Sequence, residues 1–224
     1  MRRITTALTV LATAGALLFT TACASNTGRG AAIGAAGGAV VGAAVGSAAG
    51  STTKGAIIGA VVGGAAGAII GQRMDRKAEE LARRLPNASV ERVGEGILIT
   101  FDSGILFDVD SSTLKAEARS NLSALANSLS DLESDAVLMV VGHTDATGSD
   151  TYNQSLSERR AAAAVSHLAQ SGMNPTQIET LGLGESEPVA DNTTEAGRSL
   201  NRRVEVAIYA SEAYRQRVQN RVGQ

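Results

Sequence analysis

The sequence predicts a small α+β domain in the C-terminal half of the chain, with two helices packed on a mixed β-sheet and a Gly/Ala-rich helical hairpin before it. Three observations support this fold class. Fourteen of the 25 glycines lie between Gly28 and Gly71. Apolar runs of strand length recur after residue 90, and two segments between these runs carry apolar residues at helical spacing.

The composition excludes several classes of protein. The chain has 224 residues, with 20 Lys and Arg against 22 Asp and Glu, and no block of positive charge. Nucleic-acid binding depends on clustered Lys and Arg, so no nucleic-acid partner is expected. The single cysteine excludes an internal disulfide and a Cys-x-x-Cys metal site.

Residues 1–22 are typical of a secretory signal peptide. Arg2 and Arg3 precede the apolar run Ala7–Phe19, and small residues follow it. The run is shorter than the about 20 strongly apolar residues that a spanning helix needs. We therefore expect the mature protein to be exported.

Cys23 follows the signal directly, and residues 19–25 resemble the lipobox of bacterial lipoproteins, whose cysteine is acylated. Thr20 stands where the lipobox usually has leucine. Lipidation of Cys23 is the favoured prediction, and ordinary cleavage after Ala24 or an uncleaved anchor are the alternatives. By the same resemblance, Ala24 after the cysteine indicates the outer membrane, where several acyl chains would anchor the protein stably.

Glycine recurs at every fourth position in two runs within residues 30–71, after a linker at residues 23–29. The pattern predicts a hairpin of two helices, Gly30–Gly50 and Gly55–Gly71, because this spacing places the glycines along one helical stripe where backbones approach closely. Lys54 is the only charged residue of the hairpin and lies in its polar turn.

The sequence does not decide whether this hairpin lies in a membrane, in an oligomer or in water. At about 1.5 Å per residue, the first helix would extend roughly 31 Å and the second roughly 25 Å, so the second would barely cross a bilayer. The hairpin resembles glycine-zipper segments of bacterial envelope proteins, which implies association with a membrane or with other copies of the chain. A flexible spacer is the alternative.

Polar segments flank the predicted domain on both sides. Residues 72–89 are expected to form a connector, with a solvated amphipathic helix over Gln72–Leu85 that ends before Pro86. Residues 211–224 are expected to form a polar helical tail.

Residues 90–210 form the predicted domain, with the element order β-α-β-α-β-β. Helical crossovers between strands imply parallel pairing somewhere in the sheet. Ser155 and Glu158 have the spacing of a capping box at the start of the second helix. The predicted strands are Gly96–Phe101, Ala136–Val141, Ile178–Leu183 and Arg203–Tyr209, and the predicted helices are Ser112–Leu132 and Asn153–Gln170.

A series of short motifs in this domain resembles the signature of the OmpA-like peptidoglycan-binding domain. The elements match over roughly Val90 to Ala210, and their spacing agrees with that of the family. They are Phe107-Asp108, Gly142-His143-Thr144-Asp145, Gly148, Asn153, Leu156-Ser157, Arg160-Ala161, Val165 and Asn201-Arg202-Arg203-Val204-Glu205.

The resemblance implies a site for the meso-diaminopimelate of the peptidoglycan stem peptide, whose distal centre carries an ammonium and a carboxylate. By this match, Asp145 accepts hydrogen bonds from the ammonium, and Arg160 pairs with the carboxylate through its two-pronged donor geometry. The same match implies that Phe107, Asp108, Thr144, Asn153 and Leu156 line the pocket and that Arg203 lies near it.

His143 invites two other interpretations, as a metal ligand or as a catalytic base. The only other histidine, His167, lies far along the chain on a predicted helix, and no cysteine accompanies either, so no metal site is expected. Ser155 or Ser157 could complete a triad with His143 and Asp145, but no nucleophile elbow surrounds them. Neither enzymatic activity nor a cofactor is expected.

These patterns together predict a non-catalytic lipoprotein of the outer membrane. Cys23 would carry the lipid, and the C-terminal domain would bind peptidoglycan in the periplasm and tether the membrane to it. The alternative is a membrane-associated assembly protein whose glycine helices form a homo-oligomer that wall binding merely positions.

Overall fold

The computed structural model describes residues 50–132 and 134–224. The signal peptide, Cys23 and the first predicted glycine helix up to residue 49 lie outside the described residues. The described helices are α1 (Thr52–Gly59), α2 (Gly64–Arg84), α3 (Ser103–Leu106), α4 (Ala116–Leu129), α5 (Asp150–Gln170), α6 (Glu195–Asn201) and α7 (Glu212–Val222), and the strands are β1 (Ala88–Val93), β2 (Gly96–Asp102), β3 (Ala136–Gly142), β4 (Ile178–Gly182) and β5 (Arg203–Ala210).

The five strands form one mixed sheet in the order β1-β2-β5-β3-β4. β3 and β4 run parallel, and the other neighbouring pairs are antiparallel. The parallel pair requires a crossover, which α5 supplies between β3 and β4. The α+β class and the mixed sheet are therefore confirmed.

One face of the sheet, here called the inner face, carries the main hydrophobic core. α2 lies against β1 and β2, α5 lies against β3 and β4, and α4 packs between these two helices. The members of this core from the sheet include Ile97, Ile99, Phe101, Leu138, Val140, Val206 and Ile208, and those from the helices include Met74, Leu81, Leu122, Leu125 and Leu168.

The first helix predicted in the domain forms, but over a shorter range. It begins at Ala116 rather than Ser112, because Phe107 and Leu114 form an antiparallel bridge that keeps the intervening chain out of the helix. Its last predicted residues form a turn of 3-10 helix over Ser130–Leu132.

The second predicted helix begins earlier than expected. It starts at Asp150 instead of Asn153, because the Ser149 side chain caps it by accepting a hydrogen bond from the Tyr152 N–H. The predicted capping box at Ser155 is therefore wrong, since that residue lies within the second turn of α5.

The segment Gln72–Leu85 is helical as expected, but the expectation that this helix is solvated is wrong. α2 runs through it, and the side chains of Met74, Leu81 and Leu85 are at most 1% exposed. Their spacing forms one apolar stripe, which packs into the main core. The folded domain therefore starts well before residue 90.

β1 is a strand that the sequence analysis does not include, since Ala88–Val93 contains no continuous apolar run. It pairs antiparallel with β2, and its register places Val90 opposite Ile99. A tight turn at Gly94, with φ of 51°, joins the two strands. β1 lies at the edge of the sheet, where polar side chains such as that of Glu91 can face water.

The second glycine run does not form the single helix predicted over Gly55–Gly71. α1 ends at Gly59 and α2 starts at Gly64, since Gly63 and Gly64 adopt φ values of 72° and 61°. These values lie in the left-handed region, which breaks a right-handed helix and which glycine tolerates. The two helices therefore turn away from each other at this bend.

α1 lies on the outer face of the sheet, opposite the main core. Its residues Ala56 and Ile57 pack with Leu98 of β2 and Ala207 of β5 in a second hydrophobic cluster. Gly96 permits this approach, since a Cβ atom there would lie 2.5 Å from the Ile57 side chain. Within the described residues, no helix is both long and apolar enough to cross a membrane.

We expect the Met74→Ala substitution to lower the free energy of unfolding of the chain by about 2–5 kcal/mol, since it removes a fully buried side chain from the core. Urea unfolding followed by circular dichroism measures the change. Ile69→Ala is the matched control, because Ile69 lies on the same helix and is 43% exposed. Equal effects of the two substitutions would contradict the placement of α2 in the core.

Candidate functional site

The candidate site lies where β3 ends and α5 begins to pack against it. Gly142 and Gly182 allow the close contact, because a Cβ atom on Gly142 would lie 2.3 Å from the carbonyl oxygen of Ser157, and one on Gly182 would lie 2.4 Å from the nitrogen of Glu158. The start of α5 therefore sits directly on the carboxyl ends of β3 and β4. This contact sets Asp145, in the loop after β3, beside the first turns of α5.

Asp145 is 93% shielded from solvent, and both of its carboxylate oxygens accept hydrogen bonds. Oδ1 accepts from the backbone N–H of Thr147 at 2.8 Å, and Oδ2 accepts from Nη1 of Arg202 at 2.6 Å. Burial by itself would raise the pKa of the carboxyl, but the hydrogen bonds from Arg202 and Thr147 outweigh it and lower the pKa. Asp145 is therefore an anion at neutral pH.

Arg202 is a site residue that sequence reasoning missed. Besides its bond to Asp145, Nη2 lies 2.7 Å from Oε1 of Glu195 at the start of α6. The hydrogen bonds to these two carboxylates raise the pKa of Arg202. The available signal was the Asn-Arg-Arg motif, but that motif does not say which of two adjacent arginines faces the site.

Arg160 projects from the third turn of α5 and is 5% exposed. Its Nε donates to the Ser111 carbonyl at 3.0 Å, and Nη2 donates to the Asp108 carbonyl at 3.4 Å. The guanidinium carbon lies 5.2 Å from the centre of the Phe107 ring. Burial lowers the pKa of Arg160, although as an arginine it keeps its charge.

No carboxylate among the described residues lies within 4.0 Å of the Arg160 guanidinium. Its positive charge is therefore held by carbonyl groups and an aromatic face instead of an ion pair. Such an arginine can still donate hydrogen bonds to the carboxylate of a ligand.

Phe107 and Leu156 are nearly fully buried, whereas the Asp108 side chain is 79% exposed. Phe107 supports Arg160, and Asp108 contributes its carbonyl group rather than its carboxylate, which lies 3.6 Å from Lys115. The structure thus places Phe107 and the Asp108 backbone against Arg160.

Thr144 and Asn153 hold the loop that carries Asp145. The Thr144 N–H donates to the Gly184 carbonyl at 2.8 Å, while the buried Thr144 hydroxyl has no hydrogen-bond partner among the described residues. Asn153 Nδ2 donates to the Asp145 carbonyl at 3.2 Å and to Oε2 of Glu185 at 2.6 Å. These bonds fix the backbone on both sides of the aspartate.

Arg203 is not brought into contact with the other residues expected at the site. Its side chain faces the outer side of the sheet, where Nε donates to Oε1 of Glu205 at 2.7 Å and Nη2 donates to the Glu187 carbonyl at 3.1 Å. Arg202 precedes β5, as the cap of α6, and reaches Asp145, whereas Arg203 is the first residue of β5 and faces the outer side with Glu205.

His143 also faces this outer side, and its ring is 1% exposed. Nε2 lies 3.8 Å from Oε2 of Glu205, and burial lowers the pKa of the ring, which is therefore neutral at pH 7. Ser155 accepts from Arg159 and Ser157 donates to the Gln154 carbonyl, so neither serine bonds to the histidine. Within residues 50–132 and 134–224, no group of three His, Cys, Asp or Glu side chains is placed to hold a metal ion.

The arrangement thus presents one buried carboxylate and one buried guanidinium on neighbouring elements, the loop after β3 and the third turn of α5. Arg202 shares the carboxylate, and the guanidinium of Arg160 has no carboxylate partner among the described residues. Such a pair can bind a small group that carries an ammonium and a carboxylate together.

Comparison with known proteins gives matches to two families. The sequence model of the OmpA family matches residues 106–202. The model of the YMGG-like Gly-zipper matches residues 1–75. The OmpA match contains most of the residues described above, and the Gly-zipper match extends from the predicted signal into α2.

Individual relatives match the C-terminal domain. Outer membrane protein A of Bordetella avium is 41% identical over 113 residues, which are 50% of this chain and 58% of that protein. The outer-membrane lipoprotein YfiB of Pseudomonas aeruginosa is 41% identical over 133 residues, which are 59% of this chain and 78% of YfiB. The chain spans 58% of the length of the Bordetella avium protein, and it spans 34% and 54% of two further curated relatives.

A solved structure agrees with these matches. The cell wall anchor of the T6SS from Pseudomonas aeruginosa superimposes with a TM-score of 0.54 at 27% identity, over 63% of this chain and 99% of the anchor. Fold, motifs and the match to YfiB agree, and the chain belongs to the OmpA family.

Proposed function

We propose that this protein is a non-catalytic lipoprotein of the outer membrane, whose C-terminal domain binds the diaminopimelate of peptidoglycan stem peptides and tethers the membrane to the wall. The observation that carries this proposal is the pair of Asp145 and Arg160, two oppositely charged and almost fully buried side chains at one site. Relatives named as outer-membrane proteins and lipoproteins, and the neighbour named as a cell wall anchor, support it.

In the proposed complex, the ammonium of diaminopimelate donates to the Asp145 carboxylate. Each carboxylate oxygen can accept two hydrogen bonds, so positions remain beside those taken by Thr147 and Arg202. The adjacent carboxylate of the ligand pairs with Arg160, whose guanidinium has no carboxylate within 4.0 Å among the described residues. Both contacts are charge-assisted, so the affinity is expected to fall as salt concentration rises.

The lipid would be attached at Cys23, as the lipobox-like segment predicts. The Gly-zipper match spans this cysteine and the glycine runs, and YfiB is a relative named as an outer-membrane lipoprotein. The lipid and the wall site would then hold the two ends of the chain in two different layers of the envelope.

We expect Asp145→Ala and Arg160→Ala each to weaken binding to purified diaminopimelate-containing sacculi by at least about tenfold, because each leaves a buried charge of the ligand or the protein without its partner. Co-sedimentation over a range of sacculus concentrations measures the loss. Arg159→Ala is the matched control, since Arg159 has the same charge, lies on the same helix and is exposed. If the doubly substituted protein co-sediments as well as the parent, this assignment of the site is wrong.

Arg202→Gln is expected to move the pH dependence of sacculus binding upward. The Arg202 bond holds the pKa of Asp145 below its usual value, so the parent keeps an ionised site until the pH falls through that lowered value. Without the guanidinium, Asp145 takes up its proton at a higher pH, and binding of a cation is lost earlier on acidification. Binding curves between about pH 3 and 7 test this, and identical curves for both proteins would contradict it.

The second candidate function is assembly through the glycine segment. It is favoured by Ile58, Val61 and Ile69, three apolar side chains of the second glycine run that are 60%, 42% and 43% exposed. Exposed apolar side chains of this kind can contact a membrane or another copy of the chain.

Deletion of residues 30–49 combined with Ile58→Ser, Val61→Ser and Ile69→Ser separates the two functions, because it removes the first glycine run and the exposed apolar side chains and leaves α1 and α2 in the fold. If wall tethering is the main role, the deleted protein keeps its affinity for sacculi and its size in analytical ultracentrifugation equals that of the parent. If assembly is the main role, sacculus binding persists while oligomers of the parent are lost. A deletion extended to residue 71 would not discriminate, since it would remove part of the hydrophobic core.

A further inference from the structure

The contact between α1 and β5 contains a cluster of polar side chains that the proposed binding mechanism does not use. The Thr52 N–H lies 3.0 Å from Oε2 of Glu187, and the Thr52 hydroxyl donates to Oε1 of the same carboxylate. The Thr53 hydroxyl donates to Oε2 of Glu205. The members of this cluster, here called the threonine clamp, are Thr52, Thr53, Glu187, Arg203 and Glu205, and each is at most 7% exposed.

The charges of the clamp explain why α1 is needed there. Two carboxylates, Glu187 and Glu205, are buried with one guanidinium, that of Arg203, while the nearby His143 is held neutral by burial. A buried carboxylate is costly unless donors satisfy its oxygens. The threonines at the start of α1 supply those donors, so the docking of α1 and the positions of the two carboxylates depend on each other.

Two residues link the clamp to the proposed wall site. Arg203 of the clamp is adjacent to Arg202, which bonds to Asp145 at 2.6 Å. The Arg203 carbonyl accepts from the His143 N–H at 2.9 Å, and His143 lies two residues before Asp145. Any shift of Arg203 therefore acts on both partners of the Asp145–Arg202 pair.

A second connection runs through the loop that contains Glu187. Nη1 of Arg203 donates to the Asn201 carbonyl at 3.3 Å, and Nδ2 of Asn201 donates to Oδ1 of Asn192 at 2.8 Å. The same Asn192 oxygen accepts from the Ala146 N–H at 3.2 Å, directly after Asp145. The clamp thus reaches the backbone on both sides of this aspartate.

We propose that Thr52 and Thr53 are positioning residues for the wall site, and that they couple the docking of the glycine segment to the affinity for diaminopimelate. The coupling acts through Arg203 on the Asp145–Arg202 pair, without contact between either threonine and the ligand. The inference rests on the proposed wall-binding function for its ligand, whereas the connections themselves are independent of it.

The test compares the full mature chain with its Thr52→Val/Thr53→Val form, which keeps the side-chain shape and removes both hydroxyl donors. Calorimetric titration with a soluble disaccharide-tripeptide that contains diaminopimelate gives the dissociation constant. We expect this constant to rise about threefold to thirtyfold in the valine form, the range usual for coupling through a connected network. The Thr52→Ser/Thr53→Ser form keeps the donors and is expected to bind as the parent does.

Lys54→Ala is the matched control, because Lys54 lies on α1 and bonds to Glu91 on β1 instead of contacting the clamp. It is expected to leave the dissociation constant unchanged. If the valine form binds as tightly as the parent, or if Lys54→Ala weakens binding as much, the inference is wrong.

Hydrogen exchange without ligand provides the readout that does not depend on the proposed function. The Ala146 and Thr147 amides, which bond to Asn192 and Asp145, are expected to exchange faster in the valine form, while the amides of β2 and β5 keep their protection. If the parent does not bind the disaccharide-tripeptide, the proposed function is wrong. Unchanged exchange at the Ala146 and Thr147 amides in the valine form would overturn the inference as well. If the double variant loses protection throughout the sheet, each single valine variant is measured by the same criteria.

Discussion

The central strand β5 must be covered on both of its faces, and most of the described structure follows from that constraint. All eight of its residues are buried. Val204, Val206 and Ile208 face the main core, whereas Arg203, Glu205 and Ala207 face outward. A strand with buried charges on one side needs a covering element that brings hydrogen-bond donors, and α1 does so with two threonines.

The need to cover the sheet also gives the glycine repeat a role in packing against the domain. A four-residue repeat of glycine is typical of helices that approach each other closely, and it led to the prediction of a hairpin. In the described part of the repeat, close approach is made to the domain instead. A Cβ atom on Gly67 would lie 2.1 Å from a carboxylate oxygen of Glu95, whose two oxygens accept from the Val62 and Gly63 amides at the bend. The repeat thus lets the chain turn and pack against the edge hairpin of the sheet.

Sequence analysis succeeded where residue type and spacing carry the information. The strands after residue 96 and helices α4 and α5 have clear apolar periodicity, and the predicted elements place Asp145 in the loop after a strand and Arg160 on a helix, as in the structure. The motifs named Arg203 as the nearby arginine, whereas the structure places Arg202 on Asp145. Which of the two adjacent arginines faces the site depends on the residue at which β5 begins. A shift of one residue would exchange the directions of the two side chains.

The role of α1 could not be predicted for a different reason. Ser51–Lys54 has the composition of a polar turn, and the carboxylates that its threonines satisfy are Glu187 and Glu205, more than 130 residues away in the sequence. The burial of α2 was also missed, although its apolar stripe is visible in the sequence. The charged residues on its other face favour a solvated connector, whereas the helix is amphipathic and covers the inner face of β1 and β2.

The two charges of the site are not equivalent, and this bears on how a zwitterionic ligand would be held. The Asp145 carboxylate already has the Arg202 guanidinium and the Thr147 N–H as partners, so an ammonium there joins an existing ion pair. Among the described residues, carbonyl groups and the Phe107 ring contact the Arg160 guanidinium, so a ligand carboxylate there would form a direct ion pair. Arg202 would also repel a simple cation that approached Asp145 alone. A ligand that brings its own carboxylate offsets this repulsion at both arginines, and the geometry therefore favours a group with both charges over an amine of the same size.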